Sequence, residues 1–166
     1  MQRPMRRKRQ ELPIEETYSL IDQATSGVLA LVDGGAPYAV PLSHVRVGGT
    51  IYFHCAPEGR KLDAVRECGR ASFCVIGQDA VVPERFTTYF RSAVAEGPVR
   101  IVDDEAEKLL GLRALGEKFS PGNEDGLKAE IDGAFARVCV LALDIESLTG
   151  KEAIELVRMR GCEGEG

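Results

Sequence analysis

The amino-acid sequence predicts an α+β fold: a six-stranded antiparallel sheet that closes into a barrel, with flanking helices. Three features predict it. Short β-rich runs recur along the chain and are mostly joined by glycine-containing turns of hairpin length. Segments with helical apolar spacing fall between these runs. The length of 166 residues, with 44% hydrophobic and 28% charged side chains, suits a single buried core.

The elements follow in order. Pro13 suits a first helical turn, Glu15 and Glu16 favour its positive end, and Ile14, Tyr18, Ile21 and Ala24 form an apolar stripe that Gly27 ends. Val28 to Val32 is a first strand, Asp33-Gly34-Gly35-Ala36 a hairpin turn, and Tyr38 to Val47 a second strand. Gly48-Gly49 turns the chain into Thr50 to Cys55, which completes a three-strand meander. Pro41 marks a point where the second strand is expected to leave its ladder and expose backbone groups to a ligand. A short helix runs from Arg60 to about Glu67, and Ala71 to Ile76 is a fourth strand. Tyr89 to Val102 is a long strand bent at Gly97-Pro98. Asp104 and Glu107 have capping-box spacing at the start of the next helix. A weaker helix covers Leu127 to Phe135, and Arg137 to Ile145 is the last strand. The domain organisation read this way is a basic N-terminal extension over residues 1–12, one domain over 13–158 and a flexible tail over 159–166.

A net charge of −5 argues against a general nucleic-acid binder, since phosphate-backbone affinity needs a broad basic surface. No run approaches the roughly 20 apolar residues of a membrane span. The basic residues Arg3 to Arg9 precede no apolar segment, so they do not form a secretory signal, and a cytoplasmic location is expected. Five cysteines without CxxC pairing indicate neither a disulfide framework nor a zinc site, and no metal is expected.

Chemistry concentrates in three segments. The first is the loop Ala56-Pro57-Glu58-Gly59 and the helix start after it. A helix N-terminus attracts phosphate, and Arg60 and Lys61 add two full charges where the helix dipole alone would disfavour them. The second is His54, which strand alternation sets on the face opposite Phe53, close to that loop. Adjacent His54 and Cys55 project to opposite faces, which excludes a Cys-His nucleophile pair. The third runs from Thr87 to Val94, where Tyr89 and Phe90 offer flat surfaces and Arg91 and Ser92 offer hydrogen bonds to a planar ring. Barrel-rim packing accounts for the same residues.

Taken in order, Tyr38-Ala39-Val40-Pro41-Leu42-Ser43, Ile51-Tyr52-Phe53-His54-Cys55-Ala56, Glu58-Gly59-Arg60-Lys61-Leu62-Asp63 and Tyr89-Phe90-Arg91-Ser92 resemble the pyridoxamine 5′-phosphate oxidase-like FMN-binding split barrels. The nearest branch is that of the nitroimidazole-resistance (Nim-type) proteins. The resemblance extends from Met5 to Arg158 and implies a homodimer with FMN sites at the subunit interface. It implies that Arg60 and Lys61 bind the FMN phosphate, that Val40, Pro41, Leu42 and Ser43 line the ring, and that His54 lies beside cofactor or substrate. Tyr89, Arg91 and Ser92 would reach over from the facing subunit. The family often carries Trp-Pro before its last strand, where this chain has Phe135-Ala136. The implied activity is reduction of a small oxidised acceptor, a nitroaromatic for example, with NAD(P)H binding transiently because no Gly-rich dinucleotide fingerprint is present. His54 would supply a proton, as imidazole titrates near neutrality. The alternative is a non-catalytic carrier or sensor of FMN or haem, with His54 as a haem ligand.

Overall fold

The computed structural model describes residues 5–163, with side chains as far as residue 160. The elements are α1 (Ile14–Gln23), β1 (Ser26–Asp33), β2 (Ala36–Ser43), β3 (Val45–Val47), β4 (Thr50–Cys55), α2 (Arg60–Glu67), β5 (Arg70–Val82), β6 (Thr87–Ile101), α3 (Glu105–Phe119), α4 (Glu124–Ala134), β7 (Cys139–Asp144), β8 (Ser147–Glu152) and α5 (Ile154–Glu163). The α+β class stands. The strands hydrogen-bond in the order β2-β1-β5-β6-β7-β4-β3, with β8 on β6, and every pairing is antiparallel. The sheet wraps round without a ladder between β2 and β4, so the barrel is split along that seam.

Eight strands stand where six were expected, for two reasons. The run Tyr38 to Val47 divides at His44: β2 ends in one sheet and β3 begins in the other. The segment after Ile145, too polar to read as a strand, forms β8 because β6 offers it an open edge. The three-strand meander is accordingly replaced by two hairpins, β1–β2 and β3–β4, on opposite sides of the seam. Pro41 does not interrupt its ladder either, for β2 pairs with β1 without a break from Ala36 to Ser43. Pro41 and Pro37 share one parity on this edge strand, so their missing N–H groups face away from β1 and cost no ladder bond. The segment expected as a tail from residue 159 begins inside α5.

Long strand β6 joins the halves. Residues Thr87 to Pro98 pair with β5, while Val99 to Ile101 pair with β7. At the corner, a Cβ on Gly97 would overlap the carbonyl oxygen of Asp144, so only glycine lets the strands cross there. Inside the barrel Phe53, Phe73, Ile51, Leu29, Leu141 and Leu143 pack into the main core, with Phe53 and Phe73 edge to face at 5.0 Å. A second cluster, with Tyr52, Val140, Ala142 and Leu115, fills the space between the outer face of β4–β7 and α3. Asp104 caps α3 by accepting the Glu107 N–H at 2.7 Å, the near half of the anticipated box.

Candidate functional site

The alternation of β4 decides where its side chains go. Ile51 and Phe53 point into the barrel, whereas Tyr52 and His54 take the other face. Tyr52 is covered by α3, whose Gly111 admits the ring. His54, one rung beyond that cover, is exposed and opens onto a groove of about 490 Å³ between the barrel wall and α3–α4. Ser43 borders the same groove, whose walls are mostly apolar, with Leu115, Phe119, Leu127, Ile131 and Phe135 among them and Ser120, Asn123 and Glu130 as further polar members. α4 closes it by leaning Leu127 on Gly116.

Past Cys55 the chain rounds the loop and enters α2. Gly59 takes φ 121°, a left-handed value that favours glycine, and no side chain caps the helix it starts. The Gly59 carbonyl accepts the N–H groups of Leu62 (2.9 Å) and Asp63 (3.3 Å). The N–H groups of Arg60 and Lys61 have no acceptor among the described residues, as at any helix start that no side chain caps. The two cations differ. Arg60 donates from Nε to Asp33 at 2.6 Å and lies 4.3 Å over the Tyr38 ring, so it spans the seam to the β1–β2 hairpin. Lys61 has no carboxylate within ion-pair distance among the described residues.

The free edge of β2 connects the two places. Residues 37, 39, 41 and 43 point their backbone away from β1, and with prolines at 37 and 41 the N–H donors left on that edge are those of Ala39 and Ser43. Val40 and Leu42 are part-buried against the main core, and Pro41 and Ser43 are exposed. From Tyr38, beneath Arg60, to Ser43, beside the groove, the strand rise amounts to about 17 Å.

The profile of the pyridoxamine 5′-phosphate oxidase family matches residues 13–152, most of the chain and every element from α1 to β8. The chain belongs to the pyridoxamine 5′-phosphate oxidase-like family. No curated protein sequence matches it. Among solved structures, this family member is similar to a candidate 5-nitroimidazole antibiotic resistance protein from Bacteroides thetaiotaomicron, with 21% identity over 86% of each chain and a TM-score of 0.70. It is also similar to an FAD and heme binding protein from Mycobacterium smegmatis, with 28% identity over 87% of this chain and 73% of that one and a TM-score of 0.74. A flavocytochrome from Azotobacter vinelandii shares 21% identity over 90% of this chain and 72% of its own, with a TM-score of 0.78.

Not every anticipated residue of this pyridoxamine 5′-phosphate oxidase-like chain meets at one place. Ser43 and His54 share the groove, and Arg60 and Lys61 stand at the mouth of α2. Tyr89, Arg91 and Ser92 lie on β6, away from both. Arg91 is engaged in its own chain, donating to the buried Glu152 at 3.2 Å, and Glu152 also pairs with Arg160. Tyr89 accepts from Arg85 at 2.8 Å. Sequence reasoning missed Asp33 as the partner of Arg60, because it sits in a turn where aspartate is already explained by turn preference. It also missed the apolar wall from α3 and α4, whose leucines read equally well as core. No helix among the described residues is long and apolar enough to cross a membrane.

Proposed function

We propose that this chain is an FMN-binding flavoprotein that passes electrons from a nicotinamide donor to a small oxidised acceptor, a nitroaromatic among the candidates. One observation carries the reading. Two acceptor-free amides and the unpaired Lys61 lie at one end of an open strand edge, and an apolar groove with His54 on its wall lies at the other. A phosphate fits the first end, through N–H groups and a charge that nothing else in the described chain uses. A flat ring fits the second, with the Ser43 N–H at its border. The FAD and heme binding protein from Mycobacterium smegmatis and the nitroimidazole resistance candidate from Bacteroides thetaiotaomicron are the relatives that support a flavin and a nitro acceptor.

Bound FMN would supply hydride and single-electron transfer between donor and acceptor. The protein's share is to hold and orient. Lys61 and the α2 amides fix the phosphate, the β2 edge aligns the ring, and the groove excludes water from the acceptor. His54 donates a proton at the acceptor as it is reduced. The reading includes a cytoplasmic homodimer in which Tyr89, Arg91 and Ser92 of the facing subunit complete each site.

The visible spectrum of the purified protein tests the cofactor, and mass analysis of the released ligand distinguishes FMN from FAD. Anaerobic mixing with NADH or NADPH and then a nitroimidazole tests turnover. No acceptor loss with either nucleotide or with dithionite would end the enzyme reading. The cations give a graded test, since a charge-assisted phosphate contact contributes about 1.5–3 kcal/mol. Lys61→Ala weakens FMN binding by that amount, and Arg60→Ala by less because Asp33 already occupies its guanidinium. Unchanged affinity in the double variant would mean the phosphate lies elsewhere.

A second reading is favoured by the groove itself. Apolar walls with a single imidazole also suit haem, held by His54, in a carrier or sensor without turnover. A Soret band in place of flavin bands would select it.

A further inference from the structure

Cys55 closes β4, Cys139 opens β7, and the ladder between these strands sets the two directly opposite each other. Opposed residues of an antiparallel pair project from the same face with Cα atoms about 4.5–5.5 Å apart, within the about 4.4–6.8 Å that disulfides bridge. Both side chains turn inward at the rim of the main core, on the rungs beyond Phe53 and Leu141, and both are part-exposed free thiols. No other two of the described cysteines share a rung; Cys74 faces Val28 on one side and Val94 on the other. Burial pushes the Cys55 thiol up to about 11, the Lys61 charge works against that rise, and the adjacent Cys139 adds to it. The two sulfurs therefore sense one another, and burial leaves Cys55 no fast nucleophile by virtue of its surroundings.

We propose that Cys55 and Cys139 form a reversible redox pair that closes to an intramolecular cross-strand disulfide when a small-molecule disulfide is the oxidant. One thiolate attacks a sulfur of oxidised glutathione, forming a mixed disulfide and expelling one glutathione thiolate. The second thiolate attacks the protein sulfur of that mixed disulfide, forming the Cys55–Cys139 bond and expelling the other. Two protein thiols lose two protons and two electrons, and two molecules of reduced glutathione carry them away. Opposed Cβ atoms stand about 4.5–5.5 Å apart and a disulfide draws them to about 3.5–4.5 Å, so closure pinches the end of the ladder and leaves the bond easy to reduce. The pair stands at the root of the Ala56–Gly59 loop and next to Lys61, where such a pinch is felt by the α2 mouth. This inference does not depend on the flavin reading.

The sequence makes the test clean. Trypsin isolates Cys55 between Arg46 and Arg60 and Cys139 between Arg137 and Lys151, with no other cysteine in either peptide. The full chain is incubated with oxidised glutathione, quenched with iodoacetamide and digested without reductant. The expected product is one linked peptide pair, two of the five thiols lost per chain, and full recovery of both with dithiothreitol. Cys55→Ser and Cys139→Ser would each abolish that linked pair, while Cys68→Ser would leave it unchanged. Recovery of residues 55 and 139 as separate alkylated or separately glutathionylated peptides from the oxidised wild-type chain would overturn the proposal. So would a link between two chains.

Discussion

At His44 the imidazole is fully enclosed, 4.6 Å from the Phe73 ring, at the point where the chain passes from β2 to β3. Its Nε2 lies 2.7 Å from the Ile21 carbonyl, which can only accept, so Nε2 carries the hydrogen and Nδ1 is a bare lone pair without a donor. Burial lowers its pKa from 6.5 to about 4, against the pull of the Ile21 carbonyl. The direction fixes the pH dependence. Above about pH 6.5 both folded and unfolded chains hold a neutral ring, and stability is complete. As pH falls from 6.5 towards 4 the unfolded chain takes up a proton that the folded one refuses, and up to roughly 3 kcal/mol is lost. Urea midpoints from pH 7.5 to 4 should therefore fall more steeply for the wild type than for His44→Gln, and parallel profiles would contradict the assignment. This residue also shows how far a sequence carries single histidines. His44 and His54 differ in the text only by neighbours, yet one stabilises the core crossover and the other borders a groove. Strand alternation from Phe53 was enough to place His54, because both lie in one uninterrupted strand. His44 lies where the strand breaks, so the same rule had nothing to count from.

Among the elements, the turns and the short helix were the most legible. Gly34 and Gly35 take φ 58° and 77° in the β1–β2 turn, and α2 runs from Arg60 to Glu67, the bounds read from the sequence. Strand ends were less so. β5 continues six residues past Ile76, because the partner residues Thr87 to Arg91 hold residues 78–82 in a ladder across the break that Gly77, Gln78 and Asp79 make in the apolar run. The bend of β6 at Gly97 was readable, but its cause, the close passage of Asp144, was not. That cause predicts a sharp contrast. Gly97→Ala should destabilise the fold by at least about 4 kcal/mol or prevent folding, since backbone rather than a mobile side chain must yield. Gly49→Ala, with open space around it and ordinary φ, should stay within about 0.5 kcal/mol. Thermal melts of both variants check the pair, and equal shifts would remove the corner explanation.

For the molecule as a whole, β4 and β7 are shared property. Their inward residues build the barrel core and their outward residues build the layer under α3, so neither layer can be lost while the other keeps its wall. Equilibrium unfolding should thus be one transition, with far-ultraviolet circular dichroism and near-ultraviolet circular dichroism of the tyrosines giving the same midpoint. Separate midpoints would show that α3 peels off alone. The fold class was open to inference from texture alone because hairpins and helices are local; the split came only with the family resemblance, because the seam depends on two strands that fail to pair although the chain brings them near. The same limit applies to the candidate site, where the loop and the mouth of α2 form one contiguous segment that could be read from the sequence, while the groove is assembled from β2, β4, α3 and α4 and could not.

The unpaired side of β2 has a further consequence. A bare sheet margin is a template on which strands from other molecules can add, the first step towards aggregates. Here two of the four outward positions are imino acids, so an incoming strand finds carbonyls but only every other hydrogen to bond. The barrel can stay open along its seam without offering its rim as a seed for self-association.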